Sequence, residues 1–254
     1  MKKQSRPLPW LDAGESFPAA SHAWGQDDPA PGLLAAGGAL DVPTLVRAYG
    51  QGIFPWYSDG QPTLWWSPNP RMVLQTQQFK LHRSLRKTLQ TFSNDPTCEI
   101  RFDTAFARVI NQCASKLRDG QPGTWILPEM IAAYCALHAA GHAHSVETWV
   151  NGQLIGGLYC VNLGGMVFGE SMFADARDAS KIALAALVAF CRAHAIDMID
   201  CQQNTSHLAS LGAQEISRDV FTSHVAEAIK RLEPAWKFDP IYWQSLLLKT
   251  PLTP

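Results

Sequence analysis

Three consecutive stretches, 144–150, 153–160 and 165–173, alternate apolar with polar or small residues, and Asn151-Gly152 stands between the first two. An Asn-Gly pair readily takes the backbone that a two-residue hairpin turn needs, so the pattern predicts an antiparallel meander. Directly after it, Ser180 to Ala195 reads as an Ala-rich amphipathic helix and Ile196 to Cys201 as a short apolar strand. A meander followed by a helix that feeds one more strand leaves few arrangements, and the simplest is a mixed sheet with helices packed against it.

The upstream half fits that α+β class. GLLAAGGAL offers a short apolar strand, and Asp41 with Pro43 starts a helix that Gly50 to Gly52 ends. A strand is expected near Met72 to Leu74. Leu81, Leu85 and Leu89 then recur every four residues, one face of a helix whose other faces carry Arg83, Arg86 and Lys87. Two more helices are expected at Asp103 to Lys116 and Leu127 to Ala140, and a helical turn at His207 to Leu211. The first thirty residues, rich in Pro, Ala, Asp and Ser, read as an irregular edge.

Composition narrows the function classes. With 254 residues, 46% of them hydrophobic, the chain can bury a full core, and a net charge of -1 provides no global field for nucleic acid or membrane. A local patch remains: no Asp or Glu occurs from Gly60 to Asn94, where Arg71, Lys80, Arg83, Arg86 and Lys87 fall. Six cysteines are scattered without a C-x-x-C pair, which argues against a zinc site or a disulfide framework and for reduced thiols in the cytoplasm. Neither a signal peptide nor a run of membrane-spanning length is visible, so export and insertion are not expected.

Between Gly52 and Arg71 the chain reads GIFPWYSDGQPTLWWSPNPR, with five large aromatic residues among four prolines and no sustained periodicity. It reads as an ordered loop, whose rings serve either as hydrophobic anchors or as flat faces for a base. Two further places break the rule that buried strands are apolar. Glu170 sits in MVFGESMF, while Asp200, Gln202 and Gln203 end IDMIDCQQN. A carboxylate in such a run costs several kcal/mol unless it is paired or hydrogen-bonded. These residues therefore either reach solvent or cap a neighbour at a strand end, or form a polar cluster at the carboxyl end of the sheet. His142 and His144 share a strand face but lack a third ligand at sensible spacing, so no metal is expected. Ser171 has no G-x-S-x-G setting, Cys201 alternates away from Asp200 and Gln202, and no phosphate-cradling glycine loop is present.

The blocks GLLAAGGAL, GIFPWYSDG, LWWSPNPR, GTWI, GHAHSVETW, FGESMF, DASK, MIDCQ and HLASLGAQEI, in this order from Gly32 to Arg218, resemble the bacterial leucyl/phenylalanyl-tRNA-protein transferases. The resemblance implies a small N-terminal domain, placed at 1–70, a larger domain at 71–245 similar to the GNAT acyltransferases, with a mixed, mainly antiparallel sheet, and a tail at 246–254. It also implies transfer of Leu or Phe from aminoacyl-tRNA to the N-terminal Arg or Lys of proteins, marking them for N-end rule degradation, by a cytoplasmic monomer that needs no cofactor. Trp56 and Trp125 match the tryptophans that hold the terminal adenosine. Leu158, Met172, Leu184 and Ile199 match the pocket for the aminoacyl side chain, and Arg83, Arg86 and Lys87 the helix that meets the acceptor stem. Glu170, Asp200 and Gln202 match the catalytic positions, with Asp200 hydrogen-bonding Gln202 so that its carbonyl orients the attacking amine. Glu170 would receive the cationic acceptor or act as base. Three rivals stay open: a transferase for acidic N-termini, an acyl-CoA enzyme on the same fold, and a non-catalytic tRNA-binding module.

Overall fold

The computed structural model describes residues 7–116 and 126–248. Its eleven described strands form two sheets: β1 (Trp10–Leu11), β2 (Leu33–Gly37), β3 (Phe54–Pro55) and β4 (Leu64–Trp66) in the order β1-β2-β4-β3, and seven strands in the order β11-β5-β10-β9-β8-β7-β6. The larger sheet comprises β5 (Arg71–Gln75), β6 (Cys98–Phe102), β7 (Ala143–Val150), β8 (Gln153–Leu163), β9 (Met166–Ala174), β10 (Met198–Gln202) and β11 (Gln214–Ile216). The expected meander is β7-β8-β9, turning at Asn151 and Gly152, both with positive φ. All neighbours in this sheet are antiparallel except β9 and β10. The helix α5 (Ala179–Ala193) connects that parallel pair.

Two cores flank the large sheet. One gathers α1 (Val42–Gly50), α3 (Phe106–Ser115), α4 (Pro128–Ala139) and α7 (Arg218–Ala228) with the small sheet. The other gathers α2 (Arg83–Asn94), α5 and the segment from Trp236 to Leu247, which ends in α8 (Gln244–Leu247). α5 is apolar on most sides because it lies between the sheet and that segment. Local signals agree with the elements: Asp41 accepts from the Thr44 N–H at 2.8 Å ahead of Pro43, and Leu85 and Leu89 of α2 are buried.

Four expectations change. The aromatic segment contributes two short strands, β3 and β4, because its prolines fall at strand ends and edges where no ladder donor is lost. The first thirty residues are not wholly irregular, since β1 pairs in parallel with β2. Strands β6 and β11 and helix α7 carry too little periodicity to have been expected. The helix expected from Asp103 begins only at Phe106, because Asp103 adopts φ +58° and accepts from the Ser145 N–H at 2.8 Å.

That helix start is served by a buried acid. Glu147 on β7 accepts from the Ala105 N–H (2.7 Å), Ser145 Oγ (2.8 Å), Trp149 Nε1 (2.9 Å) and Thr104 Oγ1, which joins α3 to the sheet. Glu147→Ala strands all four donors, and chemical denaturation should show a loss of about 3–5 kcal/mol, as for a broken buried charge network. Asp41→Ala, at an exposed cap, should cost only about 1 kcal/mol by the same measurement.

Candidate active site

Strands β9 and β10 pair through Ile199 with Val167 and Asp200 with Phe168, and beyond that point each is irregular. Glu170 is the extra residue of a bulge in β9: Ser171 pairs with Tyr159 and Gly169 with Cys160. Cys201 is the extra residue of β10, between Asp200 opposite Val73 and Gln202 opposite Met72. Bulges redirect side chains, and they turn Glu170 and Gln202 toward each other. Gln202 sits at φ +62°, a backbone strain of about 1 kcal/mol for a residue with a Cβ. Gly169 permits the approach of the two strands, since a Cβ there would lie 3.2 Å from the Asp200 carbonyl oxygen.

A cavity of about 360 Å³ opens at these carboxyl ends. Leu158, Met172, Leu184 and Ile199 all line it, and Leu187 and Leu208 add to the apolar wall. Phe54, Pro55 and Trp56 form another side, so the aromatic segment is part of the site. Trp56 is half-buried, packs edge-on against Trp66, and accepts from the Trp66 Nε1 at its carbonyl (2.6 Å). Trp65 is an anchor, fully buried with Nε1 on the Gly37 carbonyl at 2.8 Å. Trp125 lies outside the described residues.

Glu170 is the polar centre of the cavity. Tyr49 donates to its Oε1 at 2.7 Å, Tyr134 to Oε2 at 3.2 Å, and Gln202 Nε2 to Oε1 at 2.9 Å, while the two tyrosine hydroxyls also touch each other. Burial pushes Glu170 up to about 8, with nearby Asp200 adding to the rise against the lowering effect of its hydrogen bonds. Burial, then the Glu170 charge, likewise raises Tyr49 and Tyr134 well above the usual phenol range. Tyr49 and Tyr134 were not anticipated from the sequence; a lone Tyr on an apolar helix face looks like core.

Asp200 is held by Arg71, a cation that the sequence groups with the basic patch. It is fully buried and pairs side-on with Arg71, Nε to Oδ1 at 2.8 Å and Nη2 to Oδ2 at 2.6 Å. Its link to Gln202 is made by the Gln202 backbone N–H at 2.9 Å, not by the side-chain amide, which the left-handed backbone directs to Glu170. Arg71 is correspondingly no part of a basic surface. Of the cations expected on α2, Arg83 and Lys87 are exposed, whereas Arg86 donates to the Leu246 and Leu247 carbonyls (2.9 and 3.1 Å) and holds α8. His144 bonds Asp103 at 2.7 Å and stacks on Trp236, and His142 faces Glu233 at 3.8 Å. Among the described residues no cluster of three His, Cys, Asp or Glu side chains could hold a metal. Cys201 is half-buried, with burial raising its thiol well above the usual range.

An apolar wall, an aromatic face and a buried carboxyl group with a raised pKa meet in one cavity, a combination that recurs at enzyme active sites. The family model described as leucyl/phenylalanyl-tRNA protein transferase matches residues 73–226, and that of its N-terminal domain matches residues 38–69. Curated relatives named leucyl/phenylalanyl-tRNA–protein transferase include one from Polaromonas sp. (strain JS666), 68% identical over 97% of both chains. Another, from Leptothrix cholodnii, is 59% identical over 94% of this chain and 95% of its own. Likeness to solved structures is slight: L-PGS from Bacillus licheniformis is 9% identical over 69% of this chain and 57% of that one, with a TM-score of 0.35. The chain belongs to the leucyl/phenylalanyl-tRNA protein transferase family and is a transferase enzyme. Among the described residues no helix is long and apolar enough to cross a membrane.

Two stability measurements probe this geometry. Asp200→Asn leaves the Arg71 guanidinium buried without its counter-charge and should lose about 3–5 kcal/mol in denaturant unfolding, while the double variant Arg71→Met/Asp200→Leu should lose less than the sum of its singles. For Glu170 the folded value of about 8 exceeds the ordinary 4.5, so the fold favours the neutral acid. Its stabilising effect is complete below the unfolded value and is lost as pH rises toward 8. Relative to wild type, the Tm of Glu170→Gln should therefore climb between about pH 4.5 and 8 and level off above; a pH-independent difference would show that Glu170 titrates alike folded and unfolded.

Proposed function

We propose that the cavity takes the aminoacyl end of Leu- or Phe-tRNA and that the α-amine of an N-terminal Arg or Lys attacks the ester there, with Glu170 accepting the amine's proton. The observation that carries this reading is the Tyr49, Tyr134 and Gln202 cradle around a carboxyl group pushed up to about 8. An α-amine titrates at about 7.7–8.0, so proton transfer between the two is nearly balanced, the condition in which a general base is most effective. Gln202 is an amide and a very poor base. With its Nε2 on Glu170, it offers its carbonyl oxygen to orient the amine.

The bond bookkeeping is that of ester aminolysis. The amine nitrogen bonds the carbonyl carbon, a tetrahedral oxyanion forms, and the carbon–oxygen bond to the terminal ribose breaks. The proton taken by Glu170 returns to that ribose oxygen. Because the ester is already activated, placing two substrates together supplies most of what is needed, about 7–11 kcal/mol in favourable cases.

The wall of Leu158, Met172, Leu184 and Ile199 suits a Leu or Phe side chain: Met172 adapts to either, whereas a β-branched Val would crowd the space beside its own Cα. Trp56 offers a face to the terminal adenosine, a role the resemblance also gives Trp125, and stacking of this kind contributes about 1–3 kcal/mol per base. Arg83 and Lys87 suit the phosphates of the acceptor stem. Helix α2 starts beside the cavity rim, since the Lys80 N–H bonds the Leu211 carbonyl (2.8 Å) and His82 the Ser210 carbonyl (2.7 Å) after α6 (Ser206–Ser210). Phosphate contacts carry little sequence information, which fits an enzyme that serves more than one tRNA. The same reading makes the protein a cytoplasmic monomer acting in N-end rule degradation, divided near residue 70 into a small and a larger, GNAT-like domain.

Transfer of labelled amino acid to short peptides tests this. Leu- and Phe-tRNA should donate and Val-tRNA should not, while peptides starting in Arg or Lys should accept and those starting in Asp should not. Glu170→Gln should be about 10²–10⁴-fold slower at saturating substrates. Its log rate should rise with pH through the amine's titration alone, where wild type also shows ionisation of Glu170 near 8. Equal pH profiles for the two proteins would remove Glu170 from proton transfer.

A further inference from the structure

We propose that the cationic side chain of the acceptor's first residue seats in a second cavity beside the reaction site, with Glu215 as its anionic partner. The inference deepens the reading above and rests on it, since it takes the α-amine to lie at Glu170 and Gln202. The second cavity, of about 170 Å³, shares Gln202 and Gln203 with the first. A residue whose α-nitrogen meets Gln202 in one cavity can therefore extend its side chain past that partition into the other.

The chemistry of the second cavity suits Arg or Lys. Trp66 and Pro68 give an apolar wall for the aliphatic stem, and the Trp66 face can also receive a guanidinium or ammonium group. Among the residues lining this cavity, Glu215 alone is charged. It stands exposed on β11, where the antiparallel pairing of Glu215 with Met72 sets it on the strand next to β5, and Asn204 Nδ2 holds its Oε1 at 3.1 Å. The neighbouring cation, Arg218, is engaged elsewhere, with Nη1 on the Ser67 carbonyl at 2.8 Å. An acceptor beginning in Asp or Glu would bring a second carboxylate to this cavity with no cation among its lining residues, so Glu215 disfavours acidic N-termini as well as attracting basic ones. Glu170 is then free to serve the α-amine alone, which separates recognition of the side chain from management of the proton.

The test is steady-state transfer of Leu from Leu-tRNA to three peptides identical except for an N-terminal Arg, Lys or citrulline, the last being the neutral counterpart of Arg. Glu215→Gln should raise KM for the Arg and Lys peptides about fivefold, the upper range for an exposed ion pair, and move KM for the citrulline peptide by less than about twofold. Glu215→Asp should fall between the two proteins. A similar rise for Arg and citrulline peptides would show a merely structural effect and overturn the proposal, as would an unchanged KM for Arg. Wild-type enzyme that transfers to none of the peptides would instead defeat the aminolysis reading, an outcome distinct from normal wild-type transfer with an indifferent Glu215→Gln.

Discussion

The ion pair of Arg71 and Asp200 is the constraint on which the rest of the structure turns. Arg71 opens β5 and Asp200 closes the regular part of β10, so their double hydrogen bond fixes two neighbouring strands at the edge of the cavity. The guanidinium lies between the rings of Phe54 and Phe221, 4.7 and 4.5 Å from their centroids, and its Nη1 donates to the Gly52 carbonyl at 3.2 Å. One cation thus gathers the small sheet, the large sheet and α7 around a single point. Isolated buried charges are costly, and a fully buried pair survives only where geometry satisfies it, as the side-on pairing and flanking rings do here.

Three carboxylates near or within strands show how environment divides one functional group into three roles. Glu147 has four donors and serves as a helix cap. Asp200 has a guanidinium and fixes strands. Glu170 has two phenols and an amide, none of which carries a positive charge, so burial dominates and holds its proton into the range where amines titrate. Asp200 reinforces that difference through its nearby negative charge. A site of this kind works against the stability of the fold above the ordinary carboxylate range, a familiar trade between activity and stability.

Much of this was legible in the sequence, for identifiable reasons. The meander, its Asn-Gly turn and the α5–β10 unit follow from periodicities of 2 and 3.6 residues that burial enforces. Glu170, Asp200 and Gln202 stood out because polar residues interrupt apolar runs. What was not legible depends on distant partners. Nothing local to Arg71 separates it from Arg83, yet one is buried against an acid 129 positions away and the other is exposed. Tyr49 and Tyr134 lie on helix faces that read as core, and only the fold carries their hydroxyls to Glu170. Bulges leave no periodic trace either, so the turn of Gln202 toward Glu170 could not be read from alternation.

The position of the cavity follows from one topological exception. Within the antiparallel meander β7-β8-β9, each strand end is carried straight into the next strand by a turn. The parallel neighbours β9 and β10 instead point their carboxyl ends the same way, and the chain leaves each of them for a different helix, α5 or α6. That divergence opens a crevice lined on one side by α5, through Leu184 and Leu187, and on others by Leu158, Met172, Ile199 and the Phe54–Trp56 segment. The two bulges line the same cavity and turn Glu170 and Gln202 toward each other. The apolar residues of α5 and the Glu170–Gln202 edge therefore face one space. The cavity thus sets apolar side chains of α5 and of β8, β9 and β10 beside a polar edge formed by the bulged ends of β9 and β10.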